Sequence, residues 1–452
     1  IRDTDRSRGL GDVYKRQPDA DSWLKTTEGA VDEAVSVITD LYAYCEQGAT
    51  DSYSPSERST LAESLNKLRD AYYAEGDVEY AGRYLFSGYM TDTPLTYQSD
   101  ETAAKADFTI TQEFTRENIE LKTVYTNAYS NDDILNLNVK TDAATGNVIT
   151  PNVADVHRVR IGYTKVSDAG TFEIKLNDGT TIAAAAVNDS NYQPGDDEAA
   201  FNAATGEILL GENVYKQLYA SDGFSFTYRK DNFAKGDLNP VMYYDCVDNN
   251  PDNAGVVYTK KTEDIEYNIN FSQKLKVNTE ANEVFNMYLG RDIDDLITSV
   301  NNVIDIEAQL EKVEGMLKQD IYSDKDSQSK LNSIKEGLTK QNELAKEEMK
   351  NRFEYCVGTM QGYQEQASLA KADAGNRMTR LNLTKSRLTE QKTNFTNLKS
   401  ENEDIDLEEV VVGYSAAQLV YNASLTAASK VIQQTLLCLL YTSPSPRDRS
   451  VS

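Results

Sequence analysis

Apolar residues recur at helical spacing along the second half of the chain, and this pattern limits the possible folds most. Steps of four and three residues alternate without a break through Leu407, Val411, Tyr414, Gln418, Tyr421, Leu425, Ala428 and Ile432. An earlier series, with one position skipped, is Ile293, Leu296, Val300, Val303, Leu310, Val313 and Leu317. No proline lies between Glu283 and Leu440. Such spacing predicts long α-helices in coiled-coil contact.

Two further helices are predicted near the start of the chain. Between Trp23 and Cys45, an apolar stripe indicates a helix that ends at Gly48. The sequence Ser54-Pro55-Ser56-Glu57 combines a capping hydroxyl, a proline at the first helical position and a glutamate three residues after the cap. The second helix is therefore expected to begin here and to end near Gly76. A short β element is predicted at residues 82–88.

Residues 100–282 have a different pattern, with short apolar runs between Asn, Asp, Gly and Pro clusters. This pattern is typical of strands joined by turns. The predicted strands are Val156–Tyr163, Thr171–Leu176, Thr180–Ala185, Gly223–Tyr228 and Val241–Tyr244. The predicted fold is therefore α+β, with a long-helix core built from both chain ends (residues 18–99 and 283–437) and an inserted mainly-β domain (residues 100–282).

The last predicted helix is apolar around much of its circumference. Small residues, Ala416, Ala417, Ala423 and Ala427 among them, lie between the larger ones. A helix of this kind needs partners on several sides, because helical stability comes mostly from packing of the apolar face. We expect those partners to be other subunits.

The two ends of the chain differ from the rest. Residues 7–17 read SRGLGDVYKRQ and residues 438–448 read CLLYTSPSPRD. Both resemble translations of one sequencing adapter, read from its two strands. We therefore expect residues 1–17 and 438–452 to be artefacts, and the native N-terminus with any export signal to be missing.

Composition argues against several classes of function. A net charge of −27 disfavours binding to nucleic acid, and there is no apolar run of about 18 residues that would insert in a membrane. The single histidine, His157, has no accompanying nucleophile or nucleotide-binding motif. The sequence therefore predicts neither catalytic residues nor a cofactor.

Metal and disulfide sites are not predicted either. Asp245, Asp248, Asn250 and Asp252 form an oxygen-rich stretch, but Asn253 and Thr259 stand where a calcium loop needs Gly and Glu. We interpret this stretch as a turn between strands. Outside the expected artefacts, Cys45, Cys246 and Cys356 are scattered and form neither a disulfide framework nor a zinc motif.

Three segments resemble one known family. Residues 82–97 (GRYLFSGYMTDTPLTY) resemble the glycine-aromatic segment of the hook-associated protein 3 family, the hook–filament junction proteins of the flagellin superfamily. Residues 269–285 (INFSQKLKVNTEANEVF) are similar to the segment where that family's β domain returns to the helical core, and residues 405–437 to its C-terminal helix, which flagellin shares in outline. The matching motif positions are Gly82, Arg83, Tyr84, Phe86, Gly88, Thr93 and Pro94.

This resemblance implies a structural, non-enzymatic axial protein of the bacterial flagellum. Such a protein leaves the cell through the flagellar type III export pathway, with an export chaperone, and polymerises between hook and filament. Its implied partners are further copies of itself in a ring or tube, a neighbouring hook-associated protein and flagellin. The predicted interface residues on the last helix are Leu407, Val411, Tyr414, Tyr421, Leu425 and Ile432.

Two alternatives remain open at this stage. The chain could be a flagellin, the main subunit of the filament, although the Thr93-Pro94 turn favours the junction protein. It could also be an extracellular adhesive module built on the β domain. The tyrosines Tyr72, Tyr73, Tyr80, Tyr84 and Tyr89 could form a carbohydrate-binding surface, but we favour packing or subunit contacts for them.

Overall fold

A computed structural model describes residues 2–50, 53–251, 253, 255–270, 273–403 and 406–440. For residues 2–16 and 431–440 it describes the helical backbone without the side chains. The predicted artefacts at residues 1–17 and 438–452 therefore lie largely outside the described side chains. The chain divides into two compact units, Ile1–Leu381 and Asn382–Ser452.

The α-helices follow the predicted helix–β–helix order. They are α1 (Arg2–Gly48), α2 (Pro55–Ala74), α3 (Asp100–Ala103), α4 (Asn131–Leu135), α5 (Glu212–Ala220), α6 (Ala281–Val284), α7 (Met287–Leu317), α8 (Lys325–Glu403) and α9 (Leu407–Leu440). Among the described residues, no helix has both the length and the apolarity that crossing a membrane requires.

The β-strands begin with a short hairpin before the inserted domain. In chain order they are β1 (Glu79–Tyr80), β2 (Arg83–Tyr84), β3 (Phe108–Phe114), β4 (Ile119–Thr126), β5 (Asn152–Arg160), β6 (Phe172–Leu176), β7 (Thr181–Ala186), β8 (Ala199–Asn202), β9 (Glu207–Leu210), β10 (Phe224–Lys230), β11 (Asp245–Asp248), β12 (Val257–Tyr258), β13 (Glu266–Asn270) and β14 (Gln273–Lys276).

The helices at the start of the chain form as predicted. The stripe of α1 is buried, with Trp23, Leu24, Ile38 and Leu41 almost fully covered. In α2 the predicted capping box is present: Ser54 Oγ accepts a hydrogen bond from the Glu57 amide, and the Glu57 carboxylate accepts one from the Ser54 amide. Because both exposed backbone donors are satisfied, the start of α2 is well defined.

The inserted domain is a mixed sheet in which ten described strands follow the order β12-β11-β3-β10-β6-β7-β8-β9-β5-β4. The pair β7–β8 is parallel and the other pairs are antiparallel. Four of the predicted strands are present with small shifts, as β5, β6, β7 and β10. The alternating buried residues of β3 and β10, which pair along their whole length, place one face of the sheet on the core.

The prediction of a strand at Val241–Tyr244 is wrong. Residues Pro240–Met242 form a 3₁₀ turn, and the strand β11 begins only at Asp245. Pro240 has no amide hydrogen and a fixed φ, while Asn239 Oδ1 accepts a hydrogen bond from the Val241 amide at 3.3 Å. Val241 and Met242 are buried, so the apolar run reflects core packing rather than a strand.

The proline-free helices α7, α8 and α9 confirm the helical prediction. In α7 the predicted series is buried at Ile293, Leu296, Val300 and Val303. Helix α8 continues without a break through Gly337, Gly358, Gly362 and Gly375.

Helices from both halves of the chain pack together in the first unit. Arg58 Nη1 of α2 donates a hydrogen bond to each carboxylate oxygen of Glu307 in α7, at 3.0 and 2.9 Å. Arg69 of α2 forms an ion pair with Asp294 of α7. The α+β fold with an inserted β domain is thus confirmed, whereas the exact bounds 18–99, 100–282 and 283–437 stay predictions.

The turn between β8 and β9 depends on a glycine, and it generates the first prediction. Gly206 has φ +65°, and a Cβ there would lie 2.0 Å from the backbone oxygen of Tyr163. Gly206→Ala should lower the free energy of unfolding by about 3 kcal/mol, since it adds left-handed strain to a steric clash with backbone. Urea unfolding of the full chain measures this change.

Gly146 supplies the matched control. Its φ is +71°, but nothing lies within 4 Å of the position that a Cβ would take. Gly146→Ala should therefore cost about 1 kcal/mol, the strain alone. Equal costs for the two variants would contradict the close approach of Gly206 to Tyr163.

Candidate assembly surface

Helix α9 begins at an acidic cap. Asp406 Oδ1 accepts hydrogen bonds from the amides of Glu408, at 2.9 Å, and Glu409, at 3.4 Å. The negative charges of Glu408 and Glu409 in the first turn are favourable at the positive end of the helix dipole. Asp406 therefore caps the N-terminus of α9.

The large apolar side chains of α9 are exposed to solvent. Every residue from 406 to 430 is exposed, with Leu407 at 78%, Tyr414 at 67% and Leu425 at 52%. Further exposed apolar residues lie beside these, namely Val410, Val411, Val412, Leu419, Val420 and Tyr421. We call the exposed apolar residues between Leu407 and Leu425 the α9 surface. Exposed apolar residues concentrated on one helix are typical of a protein interaction site.

The predicted interface residues are all on this helix. Leu407, Val411, Tyr414, Tyr421 and Leu425 belong to the α9 surface, and Ile432 lies outside the described side chains. The single chain does not bury the five described ones. Their burial against other subunits stays a prediction.

The end of α8 is also exposed to solvent. Leu381 is buried, but beyond it Phe395 and Leu398 are exposed, and residues 391–403 are exposed throughout. Ile405 lies outside the described residues. The apolar stripe of this part of the chain is thus not covered within its own unit.

The glycine-aromatic motif lies at a junction between three parts of the first unit. Ala81 and Gly82 turn the β1–β2 hairpin with φ +52° and +73°. The guanidinium of Arg83 lies 4.8 Å from the ring centroid of Trp23 in α1. Phe86 contacts Phe285 edge to face, with centroids 5.0 Å apart.

The same junction brings together two segments that the sequence singled out separately. The Ala281 amide donates a hydrogen bond to the Phe86 carbonyl at 2.9 Å, which links residues 82–97 to residues 269–285. Tyr72 of α2 donates to the Val284 carbonyl at 2.8 Å. The motif therefore anchors the point where the β domain returns to the helices.

The motif's remaining positions and tyrosines have mixed environments. The Tyr84 amide donates to the Thr91 carbonyl at 2.8 Å, and the Thr93 amide, before Pro94, donates to the Met90 carbonyl at 2.9 Å. At Gly88, with φ +59°, a Cβ would lie 2.6 Å from a Glu263 carboxylate oxygen. Tyr72 and Tyr73 are buried, Tyr80 and Tyr84 are half-buried and Tyr89 is exposed. Packing thus accounts for Tyr72 and Tyr73.

A cluster of charged residues fastens the sheet to α7, and sequence reasoning missed it. Arg160 contacts Asp292 at 2.7 Å, and Arg158 contacts Asp295 at 2.6 Å. The two arginines also bind Glu120 on β4. We call Arg158, Arg160, Glu120, Glu207, Asp292 and Asp295 the ionic cluster. The run VHRVRIGY contains its signal, because two arginines two residues apart share one face of a strand.

The electrostatics of the ionic cluster favour the charged forms of Asp295 and Glu207. Burial alone would raise the pKa of Asp295, but Arg158 and Arg160 hold the pKa of this carboxyl well below its ordinary value. Burial also opposes the Glu207 charge, yet Lys122 and Arg158 lower the pKa of Glu207. At Asp292 burial prevails over Arg160 and raises the pKa. The cluster is therefore an ion-pair clamp between sheet and helix.

The remaining polar candidates have structural surroundings. The His157 ring stacks on Tyr215, with centroids 3.5 Å apart, and its Nε2 lies 3.7 Å from a Glu212 oxygen. Asp245 and Asp248 belong to β11, at the turn to β12, while Asp252 lies outside the described residues. In the part of the chain that the structure describes, no three His, Cys, Asp or Glu side chains are grouped to hold a metal.

Comparison with known families gives one match to this chain. Residues 4–91 match the model of the bacterial flagellin N-terminal helical region. This match confirms the predicted resemblance to the flagellin superfamily, and it covers α1, α2 and residues 82–91 of the glycine-aromatic motif. It begins inside residues 1–17, whose assignment as an artefact stays a prediction. None of the curated proteins compared with the chain matches it.

Solved structures of flagellar proteins are similar to this chain at low identity. A crystal structure of FlgL from Xanthomonas campestris is 13% identical, covering 88% of this chain and 99% of that one, with a TM-score of 0.34. Flagellar hook-associated protein-3 from Legionella pneumophila is 12% identical, with coverages of 88% and 98% and a TM-score of 0.32. FliC from Burkholderia pseudomallei is 11% identical, with coverages of 76% and 99% and a TM-score of 0.15. TM-scores of this size do not establish a shared fold.

The ionic cluster generates a pH-dependent prediction. Asp295→Asn should lower the free energy of unfolding at pH 7 by about 3 kcal/mol, because it removes one of the carboxylates that balance the buried charges of Arg158 and Arg160. Since the folded-state pKa of Asp295 is depressed, the stability that its charge contributes is present above the ordinary Asp pKa of about 3.9 and is lost as pH falls below it. The difference between wild type and variant should therefore shrink from pH 7 to pH 3 in urea unfolding.

Glu101→Gln is the control for this experiment. Glu101 pairs with Lys105 on the surface, where both side chains are exposed and solvent screens the pair, so its loss should leave the free energy of unfolding nearly unchanged. If Asp295→Asn lowered the free energy of unfolding by the same amount at pH 7 and at pH 3, the charge of Asp295 would not be what stabilises the cluster.

Proposed function

We propose that this chain is a structural subunit of the bacterial flagellum that polymerises through α9 at the junction between hook and filament. The observation that carries the proposal is the α9 surface, which is apolar, long and exposed in the single chain. The match of residues 4–91 to the flagellin N-terminal helical region supports the superfamily. The motif residues Gly82–Pro94 favour the junction protein within it.

The energetics of the α9 surface favour several partners over one. Full burial of Leu407, Val411 and Leu425 would contribute about 5–9 kcal/mol, at about 1.5–3 kcal/mol for each side chain. Association itself costs about 4–15 kcal/mol in lost freedom of motion. Burial of these three side chains against a single partner therefore barely offsets the cost of association. The further exposed residues, such as Val412 and Leu419, must be covered as well. Head-to-tail contacts that do not close into a ring supply partners on several sides.

The proposal implies a location and a set of neighbours. The chain would pass out of the cell through the flagellar export pathway, with an export chaperone that covers α9 before assembly. In the flagellum it would contact further copies of itself, a hook-associated protein on one side and flagellin on the other. As an axial structural part it would act by its shape and contacts, without catalysis.

Flagellin is the second candidate, and the family match to the flagellin N-terminal region is the observation that favours it. The two candidates differ in where the protein lies. Antibody labelling of flagella by electron microscopy should place a junction protein at one site between hook and filament. Labelling along the whole filament would overturn the junction assignment in favour of flagellin.

Substitution on the α9 surface tests polymerisation. Leu425→Asp should reduce incorporation into flagella by about 100-fold or more, because it removes an apolar contact and places a charge in the subunit interface. Since the Leu425 side chain is exposed in the single chain, the variant should fold and melt as the wild type does. Incorporation is measured by quantitative blotting of sheared flagella, and folding by circular dichroism.

Leu425→Met is the matched control, since it keeps the side chain apolar and of similar volume. It should be incorporated close to the wild-type level. Normal incorporation and motility of the Leu425→Asp variant would refute the role of the α9 surface in assembly.

A further inference from the structure

Two of the three described cysteines, Cys45 and Cys356, lie in the contact between α1 and α8. They are 311 positions apart in the sequence, and both are almost completely buried, with exposed fractions of 0% and 1%. Neither belongs to the ionic cluster or to the α9 surface. Sequence spacing does not indicate that they are related.

The register of the two helices places these cysteines opposite each other. Among the described residues, the polar side-chain contacts between α1 and α8 show the direction of the two helices. As the residue on α1 comes later in the sequence, its partner on α8 comes earlier. The contacts are an ion pair between Asp32 and Lys371, a hydrogen bond from Gln364 to Thr39 at 2.8 Å and one from Gln361 to Tyr42 at 3.3 Å. The helices are therefore antiparallel.

The same register continues past the cysteines. The Phe353 ring fills the space over Gly48, where a Cβ would lie only 2.1 Å from the ring. Cys45 is one turn before Gly48 and Cys356 is one turn after Phe353, so the two thiols share one layer of the helix contact. The Gly48 position lets the backbone of α1 come close to α8 here.

The surroundings of the thiols agree with a pair. The Cys356 thiol also donates a hydrogen bond to the Asp292 carbonyl oxygen, with 3.8 Å between sulfur and oxygen. The neighbouring Cys45 thiol, together with burial, raises the pKa of Cys356 well above its ordinary value. The Cys356 thiol is thus largely protonated at neutral pH.

We propose that Cys45 and Cys356 are a modification site, a dithiol that a small-molecule disulfide oxidises to a disulfide bond between α1 and α8. One cysteine thiolate attacks the small disulfide, forms a mixed disulfide and expels one thiolate, which takes up a proton. The second cysteine thiolate then attacks the sulfur of the first and expels the other small thiol. Two cysteine S–H bonds are lost and one S–S bond forms, while the small disulfide is reduced to two thiols.

Burial determines how fast this reaction proceeds. The thiolate is the reactive form, and the raised pKa of Cys356 keeps the thiolate fraction of this residue small. The rate should therefore rise with pH, and it should rise when α1 and α8 separate locally. Once formed, the bond closes a loop of more than 300 residues and should raise the unfolding midpoint by about 5–10 °C.

Oxidation of the full chain tests the site. The Cys438→Ser variant is incubated with oxidised glutathione at pH 8.5, at a urea concentration below that at which the protein unfolds. It is then digested without reduction and analysed by mass spectrometry. We expect a peptide cross-linked through Cys45 and Cys356, a loss of two free thiols per chain, and an unfolding midpoint that dithiothreitol lowers again.

Matched variants separate the pair from the other thiols. Cys246→Ala removes a buried cysteine on β11 and should leave the cross-link intact. Cys45→Ala and Cys356→Ala should each abolish the cross-link and the effect of dithiothreitol on the midpoint. A full complement of free thiols after prolonged oxidation, a cross-link to Cys246 instead, or a midpoint that dithiothreitol does not change would overturn the proposal.

Discussion

Packing of apolar helix faces is the constraint on which the rest of this structure depends. A long helix gains little from its own hydrogen bonds in water, so its stability comes from the face that it buries. Helices α1 and α7 satisfy this requirement inside the chain, where Trp23, Leu41 and Leu296 are covered. Helix α9 carries an equally regular stripe and leaves it exposed. The same physical rule that folds the first unit thus predicts an external partner for the α9 surface.

The inserted sheet is joined to the helices by two kinds of contact. Aromatic packing and main-chain hydrogen bonds around Phe86 and Phe285 fix the point where the chain returns to the helices. The ionic cluster fastens the sheet to α7 through Arg158, Arg160 and Asp295. Because partly buried ion pairs tolerate little change of geometry, the cluster gives the sheet one orientation on α7. A subunit that transmits mechanical load would need such an attachment.

The spacing of apolar residues predicted the long helices and four of the five proposed strands correctly, because both kinds of element depend on local side-chain spacing. The capping box at Ser54 is equally local. The error at Val241–Tyr244 came from a buried turn, whose apolar residues resemble a strand while Pro240 prevents one. The run VHRVRIGY contained the two arginines of the ionic cluster, but their partners on α7 could not be predicted, and neither could the Cys45–Cys356 contact. In both cases the partners are more than 100 positions apart, and only the fold determines their proximity. The α9 stripe was visible in the sequence, but its exposure required the structure.

Hydrogen–deuterium exchange of α9 tests the central claim most directly. The amides of residues 407–430 would be followed in the isolated full-length chain and in chains incorporated into flagella. An uncovered helix opens readily, so exchange should be fast in the isolated chain and should slow by orders of magnitude on assembly. Exchange that is already slow in the isolated chain would mean that its own fold covers α9. That result would contradict assembly through this helix.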